Sequence, residues 1–100
     1  MAKKQAKRSV LQERVTAMEE AFDRTIAVTG ALKEALDAFE GNQETVCRLV
    51  SYMDSGQWKK DFEADEAGLL PAGLKRGVLS EDGLYDLLRE HDALLRRLGR

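Results

Sequence analysis

The sequence contains very few of the residues that build disulfide frameworks, metal centres and rigid turns. It has one cysteine, Cys47, one histidine, His91, and one proline, Pro71. A single cysteine excludes an internal disulfide, and a single histidine excludes zinc sites that need several histidines. The chain also has no apolar run near the ~20 residues of a membrane-spanning helix. We expect a cytoplasmic protein with no membrane partner, and we take its source to be bacterial or phage.

The composition is that of one small, charge-rich helical domain. Hydrophobic residues make up 43% and charged residues 34% of 100 residues, with a net charge of -2. A chain of this length buries only roughly 60 to 65% of its unfolded surface, so a partner or second copy would add useful burial. The near balance of charge favours neither nucleic acid nor an anionic membrane as a general partner.

The first half of the chain carries a heptad pattern that predicts one long helix. Apolar and small residues recur in alternating steps of four and three at Leu11, Val15, Met18, Phe22, Thr25, Thr29, Leu32, Leu36 and Phe39. This narrow row is typical of a helix that packs along another helix, as in a coiled coil. Ser9 is the expected N-cap, and residues 1–8 are expected to form a basic flexible arm before a single helical domain at 9–100. A homodimer through the long helix is one open alternative.

Three further helices follow in the predicted fold. Gly41 and Asn42 should end the long helix, and a returning helix over 43–53 should lie antiparallel to it. A short aromatic helix is expected from Gln57, then an ordered loop, then a C-terminal helix capped by Ser80. The fold class is therefore all-α, a helical hairpin or small bundle. Cys47 is expected to be buried, and the loop is expected to be anchored by buried Leu69, Leu70, Leu74, Val78 and Leu79.

Residues 55–88, from the start of the aromatic helix into the last helix, carry a family resemblance. They contain the runs SGQW at 55–58, DFEADEAG at 61–68, LP at 70–71 and LKRGVLSEDGLYDLL at 74–88. With these runs the chain resembles the small bacterial domain-of-unknown-function family 4298, and the resemblance extends more loosely over both helical arms. It implies a small helical bacterial domain and brings no activity, cofactor or site residue with it.

The sequence offers no convincing catalytic, cofactor or metal site. The carboxylates of residues 61–66 lack the glycine and the final glutamate that a calcium loop requires. Lys75 and Arg76 precede a helix start without phosphate-loop spacing, and no motif brings Cys47, His91 and Asp92 together. We predict no enzyme, no metal and no cofactor. The basic arm, Lys3, Lys4, Lys7 and Arg8, is more simply a solvated terminus than a nucleic-acid contact.

The remaining function is contact with another protein through residues 58–83. Core packing is the default expectation for an aromatic residue at helical spacing, and it is the favoured one for Trp58. Tryptophan and tyrosine also dominate protein interfaces, so Trp58 as an interface anchor is the open alternative. The predicted partner-binding residues are Trp58, Asp61, Phe62, Glu63, Asp65, Glu66, Lys75 and Arg76. The first hypothesis is a non-enzymatic protein-interaction module with an unidentified protein partner. The alternative is a phage- or mobile-element-type inhibitor, such as an anti-CRISPR or other anti-defence protein, that blocks a larger nucleoprotein complex with an acidic surface. Nucleic acid would then be met only as part of that complex.

Overall fold

The computed structural model describes the backbone of residues 2–99 and the side chains of residues 9–99. Its elements are α1 (Ala2–Gly41), α2 (Gln43–Asp54), α3 (Gln57–Glu66), a 3₁₀ turn (Gly77–Leu79) and α4 (Gly83–Arg97). The described residues contain no strand. The all-α class, with a long N-terminal helix followed by further helices, is confirmed.

The chain divides into two compact units, residues 1–41 and residues 42–100. The first unit is α1 alone, a helix of 40 residues that extends ~60 Å at 1.5 Å per residue. It begins at Ala2, so the prediction that Ser9 is its N-cap was wrong. No glycine or proline interrupts the chain before Gly30, so nothing in the sequence ends a helix between Ala2 and Ser9. The side chains of the predicted basic arm lie outside the described ones, and the single domain at 9–100 stays a prediction.

In the second unit, two glycines end the short helices by adopting left-handed backbone angles. Gly56 has φ 85° between α2 and α3, and Gly68 has φ 75° after α3. At Gly68 the amide of Leu69 donates to the carbonyl of Ala64 at 3.0 Å, and that of Gly68 to Asp65 at 3.0 Å. This is the Schellman arrangement, which satisfies the last carbonyls of a helix and turns the chain away from its axis. The chain leaves α3 here and enters the connector, which we define as residues 67–82.

The buried core of the second unit is small. Leu79 at the end of the 3₁₀ turn is 7% exposed, and Leu84 in the first turn of α4 is 4% exposed. The 3₁₀ turn packs against both α3 and α4, and α2 packs against α3. The prediction that five connector residues are buried was wrong for Leu69, Leu74 and Val78, which are exposed. Leu79 is buried and Leu70 is half-buried.

Two other local expectations were also wrong. Cys47 on α2 is exposed, whereas Val46 and Leu49 on the same helix are half-buried. The N-cap of α4 is Asp82 and not Ser80. Ser80 instead follows the 3₁₀ turn, and its amide donates to the carbonyl of Gly77 at 3.2 Å.

Candidate functional site

Asp61 lies at the junction of α2 and α3 and receives two side-chain hydrogen bonds. The hydroxyl of Tyr52 on α2 donates to its Oδ2 at 2.5 Å, and the amide of Gln57 donates to its Oδ1 at 2.8 Å. The turn between the helices is tightened by Ser55, whose hydroxyl donates to the carbonyl of Tyr52 at 3.1 Å. Both oxygens of Asp61 are therefore engaged within the fold.

The electrostatics of the junction follow from these bonds. The pKa of Asp61 is lowered, first by the hydrogen bond from Tyr52 and then by that from Gln57, against a smaller opposing effect of desolvation. The pKa of Tyr52 is raised to about 12, first by burial of the phenol and then by its bond to Asp61. Tyr52 stays protonated and Asp61 ionised at neutral pH, which is the combination that the bond needs.

Two side chains of α3 hold the connector against that helix. The indole nitrogen of Trp58 donates to the carbonyl of Val78 in the 3₁₀ turn at 2.7 Å. Two turns further along α3, Asp65 accepts from the guanidinium of Arg76 at 2.5 Å, with both side chains partly exposed. The connector is thus tied to α3 at two points, by one neutral and one charge-assisted hydrogen bond.

The aromatic rings of α3 support the first of these ties. Trp58 and Phe62 lie one helical turn apart and stack with their centroids 5.1 Å apart and their planes at 18°. Both residues are half-buried. The stacking fixes the orientation of the indole, so its N–H points at the 3₁₀ turn.

A third contact joins the start of α2 to α4. The side-chain amide of Gln43 lies 3.1 to 3.2 Å from Nε2 of His91, and Nδ1 of His91 lies 3.4 Å from a carboxylate oxygen of Asp92. Asp61, Asp65 and His91 thus each contact different neighbours. Among the described residues, no group of three or more His, Cys, Asp or Glu side chains is placed to hold a metal ion.

The predicted partner-binding residues fall into two sets. Half-buried residues with contacts inside the chain are Trp58, Asp61, Phe62, Asp65 and Arg76. Exposed residues are Glu63, Glu66 and Lys75. Of the two basic residues in this set, Arg76 forms an ion pair with Asp65.

The sequence did not predict the exposed apolar surface of the connector. Leu69 is 73% exposed and Leu74 is 50% exposed, on either side of Pro71. Leu74 is tied back by its amide, which donates to the carbonyl of Pro71 at 3.1 Å. The signal available in the sequence was Gly68 before Leu69 and Gly73 before Leu74, since a leucine beside a turn glycine has few neighbours to cover it.

These features define a small all-α protein whose last two helices are joined by a tied connector with two outward leucines. The model of the family "Domain of unknown function (DUF4298)" matches residues 15–99. The chain belongs to this family, which confirms the resemblance. No curated protein and no solved structure matches the chain. Of the helices in the described part of the chain, none has the length and apolarity needed to cross a membrane.

Proposed function

We propose that the chain is a non-enzymatic protein-interaction module that acts through residues 58–83. The observation that carries this proposal is the exposure of Leu69 and Leu74 on a connector whose two ties, at Trp58 and Arg76, are made within the chain. Apolar side chains displayed on a pre-ordered loop bind with little further loss of conformational entropy. The exposed Glu63, Glu66 and Lys75 would form the polar rim of such an interface.

This proposal changes the role of most residues in the site. Trp58, Asp61 and Asp65 shape the segment from within, and the two leucines make the apolar contact. A cytoplasmic location belongs to the same proposal, supported by the exposed thiol of Cys47, which a reducing compartment keeps free.

The test compares the partners recovered by three tagged baits from cells that naturally produce the protein. A Leu69→Ser/Leu74→Ser bait should lose the partners that the wild type recovers, measured by quantitative mass spectrometry. Leu87→Ser is the matched control, because Leu87 on α4 is 54% exposed and lies outside the segment. Retention of every partner by the Leu69→Ser/Leu74→Ser variant would refute the proposal.

The alternative, an inhibitor that uses an acidic surface, has less support. Asp61 and Asp65 accept hydrogen bonds from Tyr52, Gln57 and Arg76, which leaves Glu63 and Glu66 as the exposed acids of α3. An acidic mimic depends on its charges, so a Glu63→Gln/Glu66→Gln bait should lose its partner under this alternative. Under the module proposal that bait should bind with only a small loss.

A further inference from the structure

Residues 11–32 of the long helix α1 present an uncovered apolar row to solvent. Leu11, Val15, Met18, Phe22 and Leu32 are all between 47% and 61% exposed. They occupy the positions of the heptad that face a neighbouring helix in a coiled coil. Farther along the row, Leu36 and Phe39 are half-buried. An exposed apolar surface of this length on a soluble helix marks an interaction site.

The apolar row includes a depression of the kind that holds a side chain from a partner helix. A shallow depression on α1 is lined by Arg14, Val15, Met18, Glu19 and Phe22. Four of these residues have the spacing i, i+3, i+4 and i+7, which is the spacing of a hole that accepts one side chain from a facing helix. The occupant that fits this depression is therefore a helix that carries an apolar side chain at heptad positions.

We propose that a second copy of this chain packs antiparallel on this face of α1. The register places Phe22 beside Leu32 of the second copy and Met18 beside Leu36 of the second copy. Val15 then lies beside Phe39 of the second copy, and Thr25 lies beside Thr29 of the second copy near the two-fold axis. The paired stretch, residues 15–39, is about 37 Å long at 1.5 Å per residue.

The sizes of the side chains favour this orientation. In the antiparallel register each phenylalanine meets a smaller aliphatic residue, so the layers differ little in volume. A parallel pair would instead place Phe22 against Phe22 and Val15 against Val15. Cores pack best when large and small residues alternate across facing positions.

The charges beside the row are complementary in the same register. Glu19 and Lys33 are exposed and occupy equivalent heptad positions on the same side of the row. Antiparallel helices bring such equivalent positions together, so Glu19 of each copy meets Lys33 of the other.

The two threonines near the proposed axis are compatible with burial. The hydroxyl of Thr25 donates to the carbonyl of Ala21 at 2.7 Å, so its donor is satisfied within the helix. Ile26 and Val28 flank the threonines and are 56% and 61% exposed. In this register both residues lie at the two-fold axis, each near its own equivalent, and they add apolar area where the row is most polar.

The test is the oligomeric state of the full chain and of charge variants, measured by sedimentation equilibrium in reducing buffer. The wild type should be a dimer at micromolar concentration. Glu19→Lys replaces two attractive contacts by two repulsive ones and should weaken the dimer on the order of tenfold or more. Glu20→Lys is the matched control, because it makes the same charge change one residue further on, away from the row, and should leave the dimer unchanged.

Second-site rescue separates the two orientations. Glu19→Lys/Lys33→Glu should restore the wild-type dissociation constant, since it swaps the charges of one antiparallel pair. In a parallel dimer Glu19 would face Arg14, so rescue by Glu19→Lys/Arg14→Glu and not by the Lys33 variant would overturn the register. A monomeric wild type at about 100 μM, or equal weakening by the Glu20 control, would overturn the proposal. These exposed substitutions should preserve helicity, which far-UV circular dichroism checks.

The proposed dimer face consists of residues of α1 and the connector consists of residues 67–82, so different variants test the two proposals. Leu69→Ser/Leu74→Ser should sediment as the wild type does, whatever its effect on other partners. A loss of dimer in that variant would instead assign self-association to the connector.

Discussion

Tyr52 donates its phenolic hydrogen to Asp61 at 2.5 Å and so joins the end of α2 to the middle of α3. The bond requires a protonated Tyr52 and an ionised Asp61. The raised pKa of Tyr52 and the lowered pKa of Asp61 meet that requirement. The junction therefore limits the stability of the second unit at both ends of the pH scale.

We expect stability to fall between about pH 10 and about pH 12 through Tyr52. Its pKa is about 12 in the folded chain against 10.0 for a free phenol, so the unfolded chain loses this proton first as the pH rises. The loss should reach about 1 to 2 kcal/mol for this half-buried group. Urea unfolding of Tyr52→Phe should lack this component, whereas Tyr85→Phe should retain it. Equal alkaline behaviour in wild type and Tyr52→Phe would contradict the assignment.

At acid pH the sign is reversed and the responsible group is Asp61. Its pKa is lowered in the folded chain from 3.8, so its contribution is present above about pH 4 and is lost as the pH falls through the folded value. Asp61→Asn should lower the melting temperature at pH 7, because one of the two donors then faces an amide NH₂ group. It should also remove this part of the acid dependence. Glu63→Gln, on the same helix but exposed, should change neither property.

Trp58→Phe should loosen the connector while preserving the aromatic pair. Phenylalanine can still stack on Phe62, but the carbonyl of Val78 loses its donor, at a cost of about 1 kcal/mol. Hydrogen exchange should become faster at the amides of Leu79 and Ser80, whose bonds hold the 3₁₀ turn. Amides of α2 should keep their protection, and unchanged exchange at the turn would show that the indole bond does not hold the connector.

Alanine should stabilise the chain more at Gly30 than at Gly83. A Cβ at Gly83 would lie 2.2 Å from the hydroxyl oxygen of Ser80, whereas a Cβ at Gly30 meets nothing within 4 Å. Gly30→Ala should stabilise α1 by up to about 1 kcal/mol. The gain from Gly83→Ala should be smaller, because the exposed side chain of Ser80 must first rotate its hydroxyl away from the new methyl group. Ser80→Ala/Gly83→Ala removes that oxygen and should unfold at a higher temperature than Gly83→Ala. Equal melting temperatures of these two variants would contradict the contact.

The sequence predicted the helix ends that depend on local backbone chemistry. α1 ended at Gly41 as expected, and α2 ended at Asp54, one residue beyond the expected end and just before Gly56. Glycine acts within one or two residues of its own position, so such ends can be predicted locally. The start of α1 was misplaced, since Ser9 can cap a helix but also tolerates a place inside one.

The contacts of the site depended on the arrangement of the helices and could not be read from spacing. Tyr52 and Asp61 are nine residues apart, and they meet only because the turn at Gly56 sets α2 against α3. Leu69 and Leu74 were predicted to be buried, but both are exposed. An irregular segment has no periodicity to indicate which of its apolar residues are covered. Opposite charges in α3 and the connector indicate that Arg76 can form an ion pair. They do not indicate which of the four acidic residues of α3 is its partner, and the structure shows that it is Asp65.

The tie between Trp58 and the 3₁₀ turn gives the protein an intrinsic optical reporter. Trp58 is the single tryptophan of the chain, and its indole touches the connector through Val78. Fluorescence emission excited at the indole band therefore comes from one known place in the molecule. A partner that moves the connector will therefore alter the wavelength or intensity of that emission.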